Sequence, residues 1–384
     1  MRRTVFNEDH EAFREMVRDF IAKEVVPSFH EWEEAGAVPR AMYRRLGELG
    51  IFGTDIPEEY GGAGQHGFRY QAVFLEETQY ACVSFGGYSG HNVVMPYLLS
   101  LGTEEQKQRW LPGCVSGELM TAVAMTEPGT GSDLSGIQTS AKLSEDGTHW
   151  VLNGAKTFIT GGSQADLVLV VCRTSPATAE DRRAGLSILC VDTTSEGFAV
   201  GRKLQKIGVH ASDTAELSFS DVRVPAANLL GEAGKAFSYL TRNLAHERLV
   251  FAVNGVASAR AALRLAVDYT KDRKVFGKSV ASFQNTKFVL AECAAEIEAA
   301  QAMVDKAIEL HSAREFTAED AAKAKLFCTE TAGRVIDKCL QLHGGYGYIR
   351  EYPIARLYAD TRVSRVYGGT SEIMKIVIAR SLGL

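Results

Sequence analysis

Five short segments and one helix carry groups whose types and spacing could do chemistry. Ala124-Met125-Thr126-Glu127-Pro128-Gly129-Thr130-Gly131-Ser132-Asp133 offers backbone N–H groups and hydroxyls. Those suit a planar ring edge with several acceptors, or a phosphate; an ordinary tight turn has the same composition. Lys156-Thr157-Phe158-Ile159-Thr160-Gly161-Gly162 sets an aromatic beside a hydroxyl just ahead of two glycines. It could pack on a planar ring and bond its edge, or simply be a strand entering a turn. Arg273-Lys274-Val275-Phe276-Gly277-Lys278-Ser279, then Phe283-Gln284, is basic and pinned by a glycine. Its arginine offers a fork that matches a pyrophosphate, although a solvated helix connection reads the same way. Gln341-Leu342-His343-Gly344-Gly345-Tyr346-Gly347-Tyr348 closes a helical stretch. Paired glycines let backbone approach a ligand closely, or cap the helix. The fifth segment, Val366-Tyr367-Gly368-Gly369-Thr370-Ser371-Glu372-Ile373, opens the last helix, where free N–H groups and the positive dipole end favour anionic or polar ligands.

The helix is Asn243-Leu244-Ala245-His246-Glu247-Arg248-Leu249-Val250-Phe251-Ala252. Residues three and four away share a helix face, which puts Asn243, Leu244, Val250 and Phe251 beside Glu247 and leaves Arg248 off it. The expected surroundings are therefore apolar and without a cation. A carboxylate there costs stability unless it is used; the ordinary explanation is a helix carboxylate in a salt bridge.

Three blocks must position these groups. Residues 8–120 carry helical spacing with short breaks, as in Phe13, Met16, Val17, Phe20 and Ile21. Residues 121–232 change to β-branched and alternating runs at 150–152, 167–172, 186–191, 198–200 and 215–219, with turn signals at Asp146-Gly147 and Asn153-Gly154. Helical periodicity returns at 236–272, 281–313, 317–343 and 370–382, with alanine-rich stretches that suit an antiparallel bundle. The domains expected are thus 1–120, 121–232 and 233–384. At 384 residues and 46% hydrophobic content the chain can bury more than one core. A net charge of -5 gives no basic surface for nucleic acid. Seven scattered cysteines without a CxxC pair read as reduced and buried rather than as disulfides or a metal site. Without a signal core or a run of 18 apolar residues, the expectation is a cytoplasmic protein with no membrane span.

Taken in order, the five segments resemble the acyl-CoA dehydrogenase family over nearly the whole chain. The resemblance implies an α+β multidomain fold: an N-terminal helical domain, a middle β-barrel-like domain and a C-terminal four-helix bundle. It implies FAD bound between subunits of a homotetramer, a dimer of dimers, with an acyl-CoA substrate and an electron-transfer flavoprotein as partner. Met125, Thr126 and Ser132 would line the flavin, and Ser132 the substrate throat as well. Phe158, Ile159 and Thr160 would flank the flavin, with Thr160 at its N5 edge. Arg273, Phe276, Gln284 and the run Gln341, Leu342, His343, Gly344 and Gly345 would reach the phosphates and adenosine across an interface. Thr370, Ser371 and Glu372 would add contacts from the last helix. Leu244, Arg248, Tyr367, Gly368 and Gly369 would meet the substrate.

Most members of the family carry their catalytic glutamate directly after the tyrosine of the fifth segment. Gly368 stands there and cannot take a proton. The segment around Glu247 resembles the long-chain and isovaleryl-CoA branches, in which a glutamate on this helix is the base. The expected reaction is α,β-dehydrogenation of a thioester, with Glu247 as base and the Gly368 N–H as oxyanion donor. Glu372, His246 and His343 are weaker candidates for the base. A flavin oxidase or monooxygenase on the same scaffold, or a catalytically dead flavin-bound subunit, are the competing functions.

Overall fold

Side-chain caps fix some of the helix starts. Asn7 and Thr103 each accept from the backbone N–H three residues on, whose side chain bonds back to the cap. This reciprocal arrangement satisfies two otherwise orphaned donors. The computed structural model describes residues 1–384 apart from the side chain of Ser89. Its first block is six helices: α1 (Glu8–Phe20), α2 (Phe29–Ala35), α3 (Arg40–Glu48), α4 (Arg69–Tyr80), α5 (Gly86–Leu101) and α6 (Glu104–Ser116).

Eight strands follow: β1 (Thr121–Ala124), β2 (Ser140–Leu143), β3 (His149–Thr160), β4 (Leu167–Arg173), β5 (Leu186–Asp192), β6 (Phe198–Lys203), β7 (Thr214–Pro225) and β8 (Leu229–Leu230). They pair in the order β6-β7-β3-β2-β4-β5-β8, and β1 adds to β4 in parallel. The path keeps two edges, β6 and β8, so the barrel-like domain is a sheet rather than a closed barrel. β4 and β5 are buried on both faces, which is why they read as unbroken apolar runs. Val168, Val170 and Cys172 enter the sheet's own core, whereas Leu167, Leu169 and Val171 join the core of the helices. One strand thus glues the β-domain to the helical blocks through side chains of alternating parity.

The last block comprises α7 (Ala236–Asp272), a hairpin of β9 (Lys274–Val275) and β10 (Lys278–Ser279), α8 (Gln284–Ser312), α9 (Ala318–His343), α10 (Pro353–Thr361) and α11 (Ser371–Ser381). The four helices expected from periodicity are α7, α8, α9 and α11. α10 is an addition: its buried residues are only Ile354 and Leu357, too few to make a readable stripe. α7 spans 37 residues and packs along α4, α8 and α9. It is long and apolar enough to cross a bilayer by length and composition alone, but 67% of that window is buried inside the protein. Gly255 lets α9 come close, since a Cβ there would lie 3.2 Å from the Cys328 carbonyl oxygen. All seven cysteines are free and buried.

Candidate active site

α7 delivers Glu247 to a buried position with 6% exposure. The Tyr97 hydroxyl, from α5, donates to Glu247 Oε1 over 3.5 Å. Burial pushes the Glu247 carboxyl up to about 7, against opposing pulls from Arg248, Tyr97 and Lys325. The expected cation-free face is therefore corrected. Arg248 is adjacent in sequence and off the face by helical spacing, but its long side chain is buried beside Glu247. Lys325 comes from α9. Burial, and the neighbouring Arg248 after it, pulls the Lys325 ammonium down to about 7. Arg248 Nε is buried and has no hydrogen-bond partner among the described residues. Burial also lowers the Arg248 guanidinium. An orphaned buried donor beside a carboxyl poised near neutrality fits a site that takes a polar ligand atom.

One turn beyond Glu247, Phe251 stacks on Tyr367 with ring centroids 4.2 Å apart and planes at 20°. Gly368 and Gly369 follow with φ of +62° and +90°. A Cβ at 368 would lie 2.2 Å from Phe251 Cε2, and one at 369 would lie 3.7 Å from Arg248 Nη2. Phe251 and Glu247 are i,i+4 neighbours, so the Gly368 backbone and the Glu247 carboxyl share one face of α7. Leu244 lies half-buried on the same face.

The first two segments are tied into one platform. Lys156 Nζ donates to Glu127 Oε1 at 2.8 Å and to the Met125 carbonyl at 2.9 Å. Glu127 also accepts from the N–H groups of Gln138 and Thr139, and the Thr157 N–H reaches the Thr126 carbonyl. The register between β3 and β7 slips at Lys156/Ile159. At this bulge Phe158 sits at φ +60° with 67% of its surface exposed, an aromatic aimed off the sheet by the bulge. Thr160 is half-buried and Ser132 exposed. Ile159 is corrected: its side chain lies in the β-core, so only its backbone can face a ligand. Replacing Lys156 by Met should destabilise the protein by about 3 kcal/mol, because Glu127 is left buried and uncompensated; urea unfolding of the variant checks this.

A second surface gathers around a cleft of about 540 Å³ lined by Tyr269, Arg273, Val275, Val280, Gln341–Tyr346 and Ile349. No residue of the β-domain is in that lining. A Cβ at Gly344 or Gly345 would meet nothing within 4 Å, so the backbone is open to a ligand there. Arg273 lies over the Tyr346 ring at 5.7 Å. His343 is held by the Cys339 carbonyl and stacks on Tyr269. The basic segment is a hairpin rather than a bare helix connection, with Phe276 (φ +50°) and Gly277 (φ +80°) at its turn. Phe276 is 95% exposed, a large apolar ring in water at a strained position. Phe276 and the exposed Gln284 lie outside the cleft lining.

Thr370 caps α11 by accepting from the Ile373 N–H. The Ser371 hydroxyl is occupied by Glu330 at 2.6 Å, which leaves its backbone for any ligand. Glu372 is exposed and its carboxyl is held below the usual range by hydrogen bonds to its own backbone N–H and to Thr370, the opposite of what a base near neutrality needs. Tyr97 and Lys325 are the site residues that the sequence reading missed; helical spacing places Phe251 beside Glu247 but does not foresee its stacking on Tyr367. Lys325 had a signal: it sits on the buried stripe of α9 among Ala321, Ala322, Cys328 and Thr329. Tyr97 lies in an apolar helix and had none.

Family descriptions match the chain in order: acyl-CoA dehydrogenase, N-terminal domain, over residues 7–118; middle domain, over 122–222; and C-terminal domain, over 234–383. The mitochondrial long-chain specific acyl-CoA dehydrogenase of Sus scrofa is 44% identical over 382 residues, covering 99% of this chain and 88% of the relative. A crystal structure of an acyl-CoA dehydrogenase from Geobacillus kaustophilus superposes with a TM-score of 0.95 at 46% identity, covering 100% of both chains. One from Bacillus anthracis, solved in complex with FAD, gives a TM-score of 0.90 at 31% identity over 98% of this chain and 66% of that one. With all three domains matched in order along the sequence, the chain belongs to the acyl-CoA dehydrogenase family.

Proposed function

We propose that this protein catalyses FAD-dependent α,β-dehydrogenation of an acyl-CoA thioester to the trans-2-enoyl-CoA, with Glu247 as the base. The observation that carries this reading is a carboxyl buried on α7, raised to about 7, on the same helix face as the Gly368 backbone. An α-proton of a thioester is very weakly acidic, so its removal needs a base and a donor to the developing oxyanion together. Glu247 supplies the first and the Gly368 N–H the second. FAD, when bound, accepts the β-hydrogen as hydride. Met125, Thr126, Phe158 and Thr160 would hold its ring, and Thr370 with the start of α11 would add backbone contacts. Arg273 and the Gln341–Gly345 backbone line a separate cleft, which supports their serving the cofactor of a neighbouring subunit in a homotetramer. The acceptor for the electrons would be an electron-transfer flavoprotein, the partner the family resemblance implies.

The test is anaerobic mixing of the yellow protein with acyl-CoAs of graded length and branching. The flavin should bleach with at least one of them; no bleaching across the panel would refute the reading. A second expectation concerns pH. The base works ionised, and the fraction ionised falls as pH drops through about 7. The bleaching rate should therefore level above that pH and fall about tenfold per unit below it. A stopped-flow pH profile that is flat from 5 to 8 would count against Glu247.

A further inference from the structure

α9 carries three lysines, and two of them, Lys323 and Lys338, reach carboxylates at its surface. Lys325 is different. It is 1% exposed and lies on the helix's buried stripe. Its ammonium donates to the backbone carbonyls of Tyr367 and Gly369, the residues on either side of Gly368. It also lies 5.4 Å from the centroid of the Phe251 ring. No carboxylate bridges it among the described residues. A buried ammonium is costly unless its donors are used, and here two of them are spent on one loop.

We propose that Lys325 is a positioning residue that aims the Gly368 N–H at the thioester oxygen by gripping the carbonyls on either side of it. This rests on the dehydrogenase reading above. The Tyr367 carbonyl and the Gly368 N–H belong to one planar, trans peptide unit, so they point in opposite directions. Fixing the oxygen at Lys325 turns the N–H to the far side of the loop. The two glycines have no side chains to hold their own conformation, so the aim must come from outside the loop. A carbonyl bonded to an ammonium also polarises its peptide and strengthens the N–H as donor. Lys325 makes no hydrogen bond to Glu247, on which its charge exerts only a minor pull; in this scheme it acts through the peptide it holds.

The test compares the FAD-loaded full-length protein with Lys325→Met, which removes the donors, and Lys325→Gln, which keeps an N–H₂ group. Lys325→Met should slow anaerobic bleaching at saturating acyl-CoA by up to about 100-fold, the scale of a misplaced catalytic group. The half-saturating acyl-CoA concentration should rise only as far as the lost bond to the thioester oxygen weakens binding, a smaller change than the loss of rate. Binding without turnover gives a second readout: an enoyl-CoA should bind Lys325→Met more weakly, whereas an S-alkyl-CoA thioether, which lacks the carbonyl oxygen, should bind as it does to wild type. Amide exchange in residues 366–370 should quicken, and Lys325→Gln should fall between the two in all three measurements. Equal weakening for enoyl-CoA and thioether, or wild-type values throughout, would overturn the proposal. If Lys325→Met does not fold, Lys325→Gln carries the comparison; failure of both to fold would make Lys325 a folding residue and overturn it too. If no acyl-CoA bleaches wild type, the dehydrogenase reading fails while the exchange data still judge the clamp.

Discussion

Glu247→Gln should give a folded, yellow protein that acyl-CoA bleaches about 10²–10⁴-fold more slowly than wild type, the range for loss of a general base. Glutamine matches the side chain in size and can still accept from Tyr97, so substrate binding should survive. Equal bleaching of mutant and wild type, followed anaerobically, would remove Glu247 from the mechanism. The same variant should be more stable than wild type at alkaline pH. The Glu247 carboxyl titrates near 7 in the folded protein against an ordinary 4.5. The folded state therefore holds that proton more tightly than the unfolded state. Stability is complete below about pH 4.5, drains as pH rises toward 7, and then levels off with a deficit of roughly 3 kcal/mol. Glutamine carries no such deficit. The melting temperatures of mutant and wild type should converge toward pH 4.5 and separate above 7. A catalyst that is less stable with its base than without it is the expected signature of a functional carboxyl in an apolar site.

Returning the carboxylate to position 368 should fail. In Glu247→Gly/Gly368→Glu, the new Cβ would enter the Phe251 ring, 2.2 Å from Cε2 and 2.9 Å from Cδ2. It would also require a non-glycine residue at φ +62°. Backbone strain and overpacking together should cost about 3–6 kcal/mol. The double mutant should accumulate poorly, melt well below wild type and bleach no faster than Glu247→Gly alone. Gly368→Ala isolates the steric part and should already lower the melting temperature. Adding Phe251→Leu to either variant should restore part of the loss. A Gly368→Ala protein as stable as wild type would show that the ring yields freely.

Much of the frame was readable because it is local. Periods of 3.6 and 2 and the glycine turns placed the main helices and the longer strands. β1 was not readable, because four residues pairing in parallel with a strand over forty residues on carry no local signature. The site was half-readable for the same reason. Glu247 stands out as a carboxylate on an apolar helix face and Gly368 only through the family resemblance, whereas Tyr97 matters only because α5 folds against α7. The expected apolar face around Glu247 failed on reach: spacing rules place Cβ atoms, and the charged ends of Arg248 and Lys325 lie several bonds further out.

α7 has one more consequence. Glu247 lies in its first third and Arg273 caps its end, so the two are roughly 40 Å apart along the axis. That is too far for both to serve one small-molecule site. On the proposal that the Arg273 cleft serves a neighbouring subunit's cofactor, each α7 would be a strut whose two ends belong to different reaction centres. Cofactor affinity would then be a property of the assembly, governed by mass action. Colour should fade on dilution along the same concentration curve as the subunits part, and excess FAD should pull the subunits back together.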